Sequence, residues 1–310
     1  MTDPTASVVL GSAPGPVLEV LPVGATLHRF EVTCGDGVRR DVVLGLPTAE
    51  ARAASSDYLG VVVGRFANRV AGGHLELDGG THTLSTNERG NTLHGGVDGF
   101  DRRTWEVVGT DDRTARLRLV SPDGDQGFPG ELVAEAAYEL LGDGFRLTLT
   151  ATTDAPTVVN LTLHGYATLD DDATVDGHVL TVPADHHLPV DEAGIPTGDP
   201  APVDGTRLDL RRGVRLGDLG ALDDTLVVGG AGLRTVAVLA SPRTRTTLTV
   251  RSDQPGLQVY TGDALVSLGR RAGVALEPQR FPDSPHHPGW PSAVLRPGET
   301  YQHVLEWRLS

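Results

Sequence analysis

Glu277 is the one charged side chain in an otherwise apolar run, Val274-Ala275-Leu276-Glu277-Pro278-Gln279. Burying a carboxylate without a partner is costly, because the charged form loses its hydration. The same burial raises its pKa toward the range that a general base uses. A salt-bridged structural glutamate is the plain alternative. Pro278 has no N–H to give to a ladder, so regular pairing is expected to end there, at a cleft edge. A second run, Pro156-Thr157-Val158-Val159-Asn160-Leu161-Thr162-Leu163-His164-Gly165-Tyr166, carries polar groups of four kinds. Its Val, Leu and Thr content predicts one strand. A period of two puts Val159, Leu161 and Leu163 on a core face and Asn160, Thr162, His164 and Tyr166 on the other. An amide, an imidazole and a phenol in one row point to a polar cleft, with a satisfied structural network as the alternative. Protonated His164 would be a general acid.

Two loops add candidates. Gly64-Arg65-Phe66-Ala67-Asn68-Arg69-Val70 presents Arg65, Asn68 and Arg69. Arg69 could clamp hydroxyls with its fixed donor fork, and a surface arginine pair is the alternative. His94 precedes Gly95-Gly96, which permit a close backbone approach to a ligand or an uncommon dihedral. Asp223-Asp224 precedes Thr225-Leu226-Val227-Val228, and such pairs usually mark a solvated turn. His286 and His287 are adjacent, but there is no HxH or HExxH spacing, and Cys34 is the only cysteine. An obligatory zinc site is therefore not expected. GxGxxG, Walker-type and GxSxG motifs are absent from the sequence.

The elements that must hold these groups are short strands. Runs at 16–23, 27–34, 41–46, 74–77, 81–84, 104–109, 114–121, 131–140 and 145–152 alternate or are β-rich. More follow at 187–190, 225–228, 235–240, 246–252, 257–261, 273–276 and 301–309. Asp78-Gly79-Gly80 is a hairpin signal. The polar segment 47–56 has room for one helical turn. About 18 or more short strands, with 39 Gly and 21 Pro to turn them, predict an all-β protein. We expect one continuous two-layer assembly, a single domain over 1–310. A formal charge of -15 repels phosphate backbones and anionic membranes, so no nucleic acid or membrane partner is expected. No apolar stretch approaches a membrane span, and no secretory signal is evident at the N-terminus. A cytoplasmic protein is the plain reading.

In this order and spacing, several motifs resemble the aldose 1-epimerase (galactose mutarotase) family. They are Gly64–Val70; Asn87 with Leu93-His94-Gly95-Gly96; Ser121–Gly130; Val159–Tyr166; Leu257–Gly262; Glu277-Pro278-Gln279; and Leu295–Tyr301. The resemblance implies a large β-supersandwich of antiparallel sheets with an open sugar cleft. It also implies a cofactor-free isomerase that interconverts the anomers of free hexoses such as glucose and galactose. By the same resemblance Glu277 is the general base and His164 the general acid. Asn68, Arg69, His94, Tyr166, Asp223 and Gln258 would contact the sugar. The expected partner is a monosaccharide, and the expected state is a monomer or weak homodimer.

Departures accompany the resemblance. Leu163 and Gly165 stand where the family usually has Asn and Ser, and both are expected to face away from His164. Pro282-Asp283-Ser284-Pro285-His286 replaces a Pro-Asp-x-x-Asn pattern. These leave room for a modified sugar. Two rival functions remain at this level. One is a mutarotase-like epimerase for a phosphorylated hexose, to which Arg65 and Arg89 would give a cationic subsite. The other is a non-catalytic carbohydrate-binding or sugar-sensing module.

Overall fold

Runs that alternate in sequence alternate in burial: in Leu132–Leu140 every second residue is buried, and Thr114–Ser121 follows the same rule. The computed structural model describes residues 7–48, 51 and 54–310. A nine-stranded antiparallel sheet runs Glu106–Thr110, Thr114–Ser121, Leu132–Leu140, Gly144–Thr153, Tyr301–Leu309, Thr246–Ser252, Arg234–Ser241, Val179–Thr181, Val214–Arg215. A six-stranded sheet runs Tyr166–Ala167, Val274–Gln279, Gly256–Tyr260, Asp223–Val228, Ala184–His187, Ala201–Pro202. The N-terminal strands Val8–Leu10, Val17–Leu21, Thr26–Thr33 and Arg39–Asp41 form a third sheet. One buried apolar cluster draws on all three: Leu27 and Phe30; Leu147, Leu305 and Trp307; Leu226, Val259 and Leu276. The fold is an all-β supersandwich. Among the described residues no helix is long and apolar enough to cross a membrane.

Strands 74–77, 114–121, 246–252 and 301–309 lie where the pattern puts them. Others differ, for local reasons. The run 41–46 leaves its sheet at Asp41, whose carboxylate accepts the N–H groups of Phe30 and Val43 and turns the chain. In place of 187–190 the strand is Ala184–His187, ending just before Leu188-Pro189. Residues 51 and 54 are helical within 47–56, while 49, 50, 52 and 53 lie outside the described residues. Pro278 does not end pairing: the strand runs to Gln279, with Pro278 opposite Leu257. Beyond Ala275 the Tyr166–Ala167 neighbour has ended, and a proline is tolerated where one side lacks a ladder.

The largest difference concerns 156–166. It is not one strand but three short pieces, Thr157–Val158, Thr162–Leu163 and Tyr166–Ala167. Each pairs with a different partner: Val294–Leu295, Val62–Val63 and Val274–Gln279. Between them side chains replace the ladder. The Leu161 N–H donates to the Tyr301 hydroxyl at 3.0 Å, and the Leu161 carbonyl accepts from that hydroxyl at 3.2 Å and from His303 Nδ1 at 2.9 Å. The alternation nonetheless survives. Val159, Leu161 and Leu163 enter the main core. A Cβ on Gly165 would lie 3.2 Å from the Trp307 ring, which explains a glycine there. On the opposite side Asn160 bonds the Ala67 carbonyl and the Arg280 N–H, and Thr162 donates to the Pro278 carbonyl.

Tyr301→Phe removes the hydroxyl that, among the described residues, accepts the Leu161 N–H. An unsatisfied buried donor costs ~1–3 kcal/mol. Thermal unfolding is expected to show that loss, and an unchanged melting temperature would mean the backbone here is not held by this hydroxyl.

Candidate active site

Register across the six-stranded sheet decides which side chains share the cleft. Gln258 lies opposite Glu277 and Thr225 opposite Gln258. Two residues along the ladder, Tyr166, Ala275, Tyr260 and Asp223 form a parallel row. Directly paired residues share a face, as do residues two apart, so both rows project the same way. The intervening Leu276 and Val259, and the Leu257–Leu226 pair beyond, belong to the core. Glu277 is thus carried on a strand whose other face is anchored in hydrocarbon. Thr225 donates to Gln258 Oε1, and Gln258 Nε2 donates to Asp223 Oδ1 at 2.7 Å. This chain of bonds fixes the amide and the carboxylate together.

The opposite wall comes from loops. Asn68, at φ 65°, and His94, at φ 52°, are locked to each other. The Asn68 N–H donates to His94 Nδ1 at 3.2 Å, and the His94 N–H donates to the Asn68 carbonyl at 3.1 Å. A Cβ on Gly95 would sit 1.8 Å from the Gly64 carbonyl oxygen. The glycine therefore serves a close approach to this chain's own backbone, not to a ligand. Arg69 donates twice to Glu88, both bonds 2.8 Å, and reaches to 3.7 Å from Asp223 Oδ2. Arg65 is neither exposed nor in the cleft. Its guanidinium bonds the Pro129, Gly130, Ser121 and Pro122 carbonyls and Ser121 Oγ. Burial pulls its pKa down to about 10. The alternative of a surface arginine pair does not hold, since Arg65 is buried under the loop and Arg69 lines the cleft.

Glu277, His164, Asn68, Arg69, His94, Tyr166, Asp223 and Gln258 all line one cavity of ≈ 390 Å³. His164 Nε2 is 3.5 Å from Glu277 Oε1. Glu277 is 2% exposed, and its Oε2 has no hydrogen-bond partner among the described residues. Burial, then the Asp223 charge, holds its carboxyl well above the usual range, opposed by Arg69. Burial, His164 and Arg69 hold His94 well below its usual value, so it is a neutral imidazole. Burial, then Glu277, pushes the Tyr166 phenol up. Burial pulls the Arg69 pKa down, but the Glu88 bond and Asp223 hold it above its usual value.

Candidate ligand atoms of His94, His164 and Glu277 lie within 4.8 Å of one another, a set that could suggest a metal. The hydrogen bonding argues otherwise. His94 Nδ1 accepts an N–H, so the neutral ring carries its proton on Nε2. That nitrogen offers a donor to an oxygen, not a lone pair to a cation. His286, whose place was open from sequence, does not line this cavity but bonds Asp283.

Sequence reasoning missed Tyr58, Glu88 and Tyr260, which line the same cavity. Tyr58 stacks on His164 with ring centroids 5.6 Å apart and lies 4.7 Å from His94. It sits at φ 54° in a loop with no period to read. Tyr260 was within reach of the pattern, being two residues from Gln258 on one strand. Glu88 belongs to a Gly- and Asn-rich loop, and only the fold brings it to Arg69.

The whole chain has relatives. The family model described as aldose 1-epimerase matches residues 7–308. An aldose 1-epimerase of Escherichia coli (strain K12) is 37% identical over 330 aligned residues, covering 99% of this chain and 95% of that protein. A galactose mutarotase of Homo sapiens is 37% identical, covering 94% and 91%. The crystal structure of an aldose epimerase homologue from C. elegans superposes with a TM-score of 0.95 at 28% identity, covering 99% of each chain. A galactose 1-epimerase from Lactobacillus acidophilus gives 0.86 at 30%, covering 98% and 94%. With cleft, fold and sequence in agreement over nearly its full length, this chain belongs to the aldose 1-epimerase family.

Proposed function

We propose that this chain interconverts the α and β anomers of free hexoses by acid–base opening and reclosing of the ring. The observation that carries this reading is the contact between Glu277 and His164, 3.5 Å apart at the floor of a cleft. A hemiacetal opens when its C1 hydroxyl loses a proton and its ring oxygen gains one. Glu277 takes the hydroxyl proton as the C1 carbonyl forms, and imidazolium His164 protonates the ring oxygen as the C1–O bond breaks. Rotation about C1–C2 presents the other carbonyl face. Ring closure then returns one proton to His164 and the other to C1–O, so nothing is consumed. Neutral His94 donates from Nε2 to the ring region without competing for the proton. Asn68, Arg69, Tyr166, Asp223 and Gln258 hold the hydroxyls, which converts proximity into rate.

The lining supports a neutral sugar over a phosphorylated one. Asp57, Glu88, Asp223 and Glu277 face only Arg69 and Arg89, and Arg65 is taken up beneath the loop. Arg89 already donates to the Glu192 carbonyl. A non-catalytic sugar-binding module would have no use for a carboxylate kept buried with an empty oxygen. We further read the 310 residues as one domain, acting in the cytoplasm as a monomer or weak homodimer on a monosaccharide. The net charge of -15 supports the absence of nucleic-acid and membrane partners.

Polarimetry on fresh α-D-glucose and α-D-galactose tests the assignment. Glu277→Gln should lower kcat by roughly 10²–10⁴, and equal rates for variant and wild type would remove Glu277 as the base. Activity should rise with pH through an inflection well above the ordinary carboxylate range, because the base acts deprotonated. Stability has the opposite sign. A carboxyl whose folded pKa is raised contributes fully below its unfolded pKa and loses that contribution as pH rises through the folded value. Glu277→Gln should therefore melt higher than wild type above neutrality, with the gain shrinking toward acid. A variant that melts lower at every pH would show that the carboxylate is structural. For glucose 6-phosphate, kcat/KM should be about tenfold or more below that for glucose; parity would favour the phosphorylated substrate.

A further inference from the structure

Asp283 lies outside the cavity yet governs the segment that carries Arg69. It is 3% exposed, with φ 55°, a conformation that a non-glycine residue holds only when its surroundings fix it. Its N–H donates to the Arg69 carbonyl at 2.8 Å, and its Oδ1 accepts the Ala71 N–H at 2.8 Å. One residue thus grips the backbone on both sides of Val70. His286 Nδ1 is 2.6 Å from the same Oδ1, and the His286 N–H donates to the Asp283 carbonyl at 3.0 Å. At its far end the Arg69 guanidinium is fixed by Glu88 and by Gly194, where a Cβ would lie 2.8 Å from Cζ. An arginine whose carbonyl is held by the Asp283 N–H, and whose head is held by the Glu88 carboxylate, keeps little rotamer freedom to lose on binding.

We infer that buried Asp283 and half-buried His286 form a carboxylate–imidazole pair that positions Arg69 for sugar binding. The inference rests on the mutarotase reading of the cleft. Neither residue touches substrate, so both are positioning residues. His286 turns the Asp283 carboxylate toward Ala71, as an imidazole partner orients a carboxylate elsewhere. The groups facing His286 are the Asp283 carboxylate and, from the neighbouring strand, the His74 backbone and stacked ring with Glu76 beyond, while the His287 ring lies 3.7 Å from Asp283 Oδ2. The Asp283 bond, against burial, raises the His286 pKa. A neutral imidazole protonated on Nδ1 keeps the bond, so the pair holds across neutrality and weakens only in charge.

The test is saturation kinetics of anomer exchange for wild type, His286→Ala, His286→Asn and Asp283→Asn, with melting temperatures for each. Removing the imidazole should raise KM about tenfold, the size of one lost charge-assisted hydrogen bond, with kcat within about twofold. His286→Asn supplies an N–H to the carboxylate and should restore KM to near the wild-type value. Asp283→Asn should raise KM as His286→Ala does. A purely structural role would instead lower the melting temperature and kcat, through a smaller folded fraction, and leave KM unmoved; that outcome overturns the inference. So would His286→Asn behaving like His286→Ala. Wild type inactive on every free hexose tested would sink the mutarotase reading itself, whereas active wild type with an unmoved KM in the variants sinks the positioning role alone.

Discussion

Everything at this site follows from one carboxylate kept away from water with half of its hydrogen-bonding capacity unused. Glu277 is inside the protein, Oε2 has no bonded partner among the described residues, and Arg69, which lines the same cleft, donates twice to Glu88. Dehydrating a charge is among the most expensive things a fold can do. The cost is tolerable only because the strand that bears it is held on its other face by Leu276 and its neighbours in the main core. In the proposed reaction a base held in this way is strong at the moment a hydroxyl approaches, and needs no reorganisation to act.

The same economy explains the histidines. Two imidazoles stand 5.3 Å apart at the floor of one cleft, yet their surroundings divide their tasks. His94 takes a backbone N–H on Nδ1, and burial, His164 and Arg69 hold its pKa well below the usual value, so it stays neutral and donates. His164 stands 3.5 Å from the carboxylate, and in the proposed reaction the proton passes between the two through the substrate. Paired groups whose environments push their protonation apart are the usual sign of assigned acid and base roles.

Positioning is accomplished by side chains where strands cannot reach. The segment bearing His164 changes sheet twice within eleven residues, and Tyr301 and His303 bridge the gap by bonding Leu161 directly. The Arg69 segment is held by Asp283 in the same manner. Such joints leave backbone groups satisfied while freeing the chain to turn toward the cleft from several sheets.

By itself the sequence determined the class of fold and the alternation of strand faces, and its resemblance to the family pointed to eight of the residues that line the cleft. Side-chain alternation is a local property, so Leu163 and Gly165 were legible as core-facing and Asn160, Thr162 and His164 as their opposites. A carboxylate amid valine and leucine was legible for the same reason, since nothing nearby in the chain could solvate it. Only the tertiary structure decided that 156–166 is three strands in three sheets, and that Arg65 lies under the loop while Arg69 enters the cleft. It also brought in Tyr58 and Glu88 from irregular loops. Those outcomes depend on partners scores of residues distant, and no period along the chain records who will stand opposite whom once the sheets have packed.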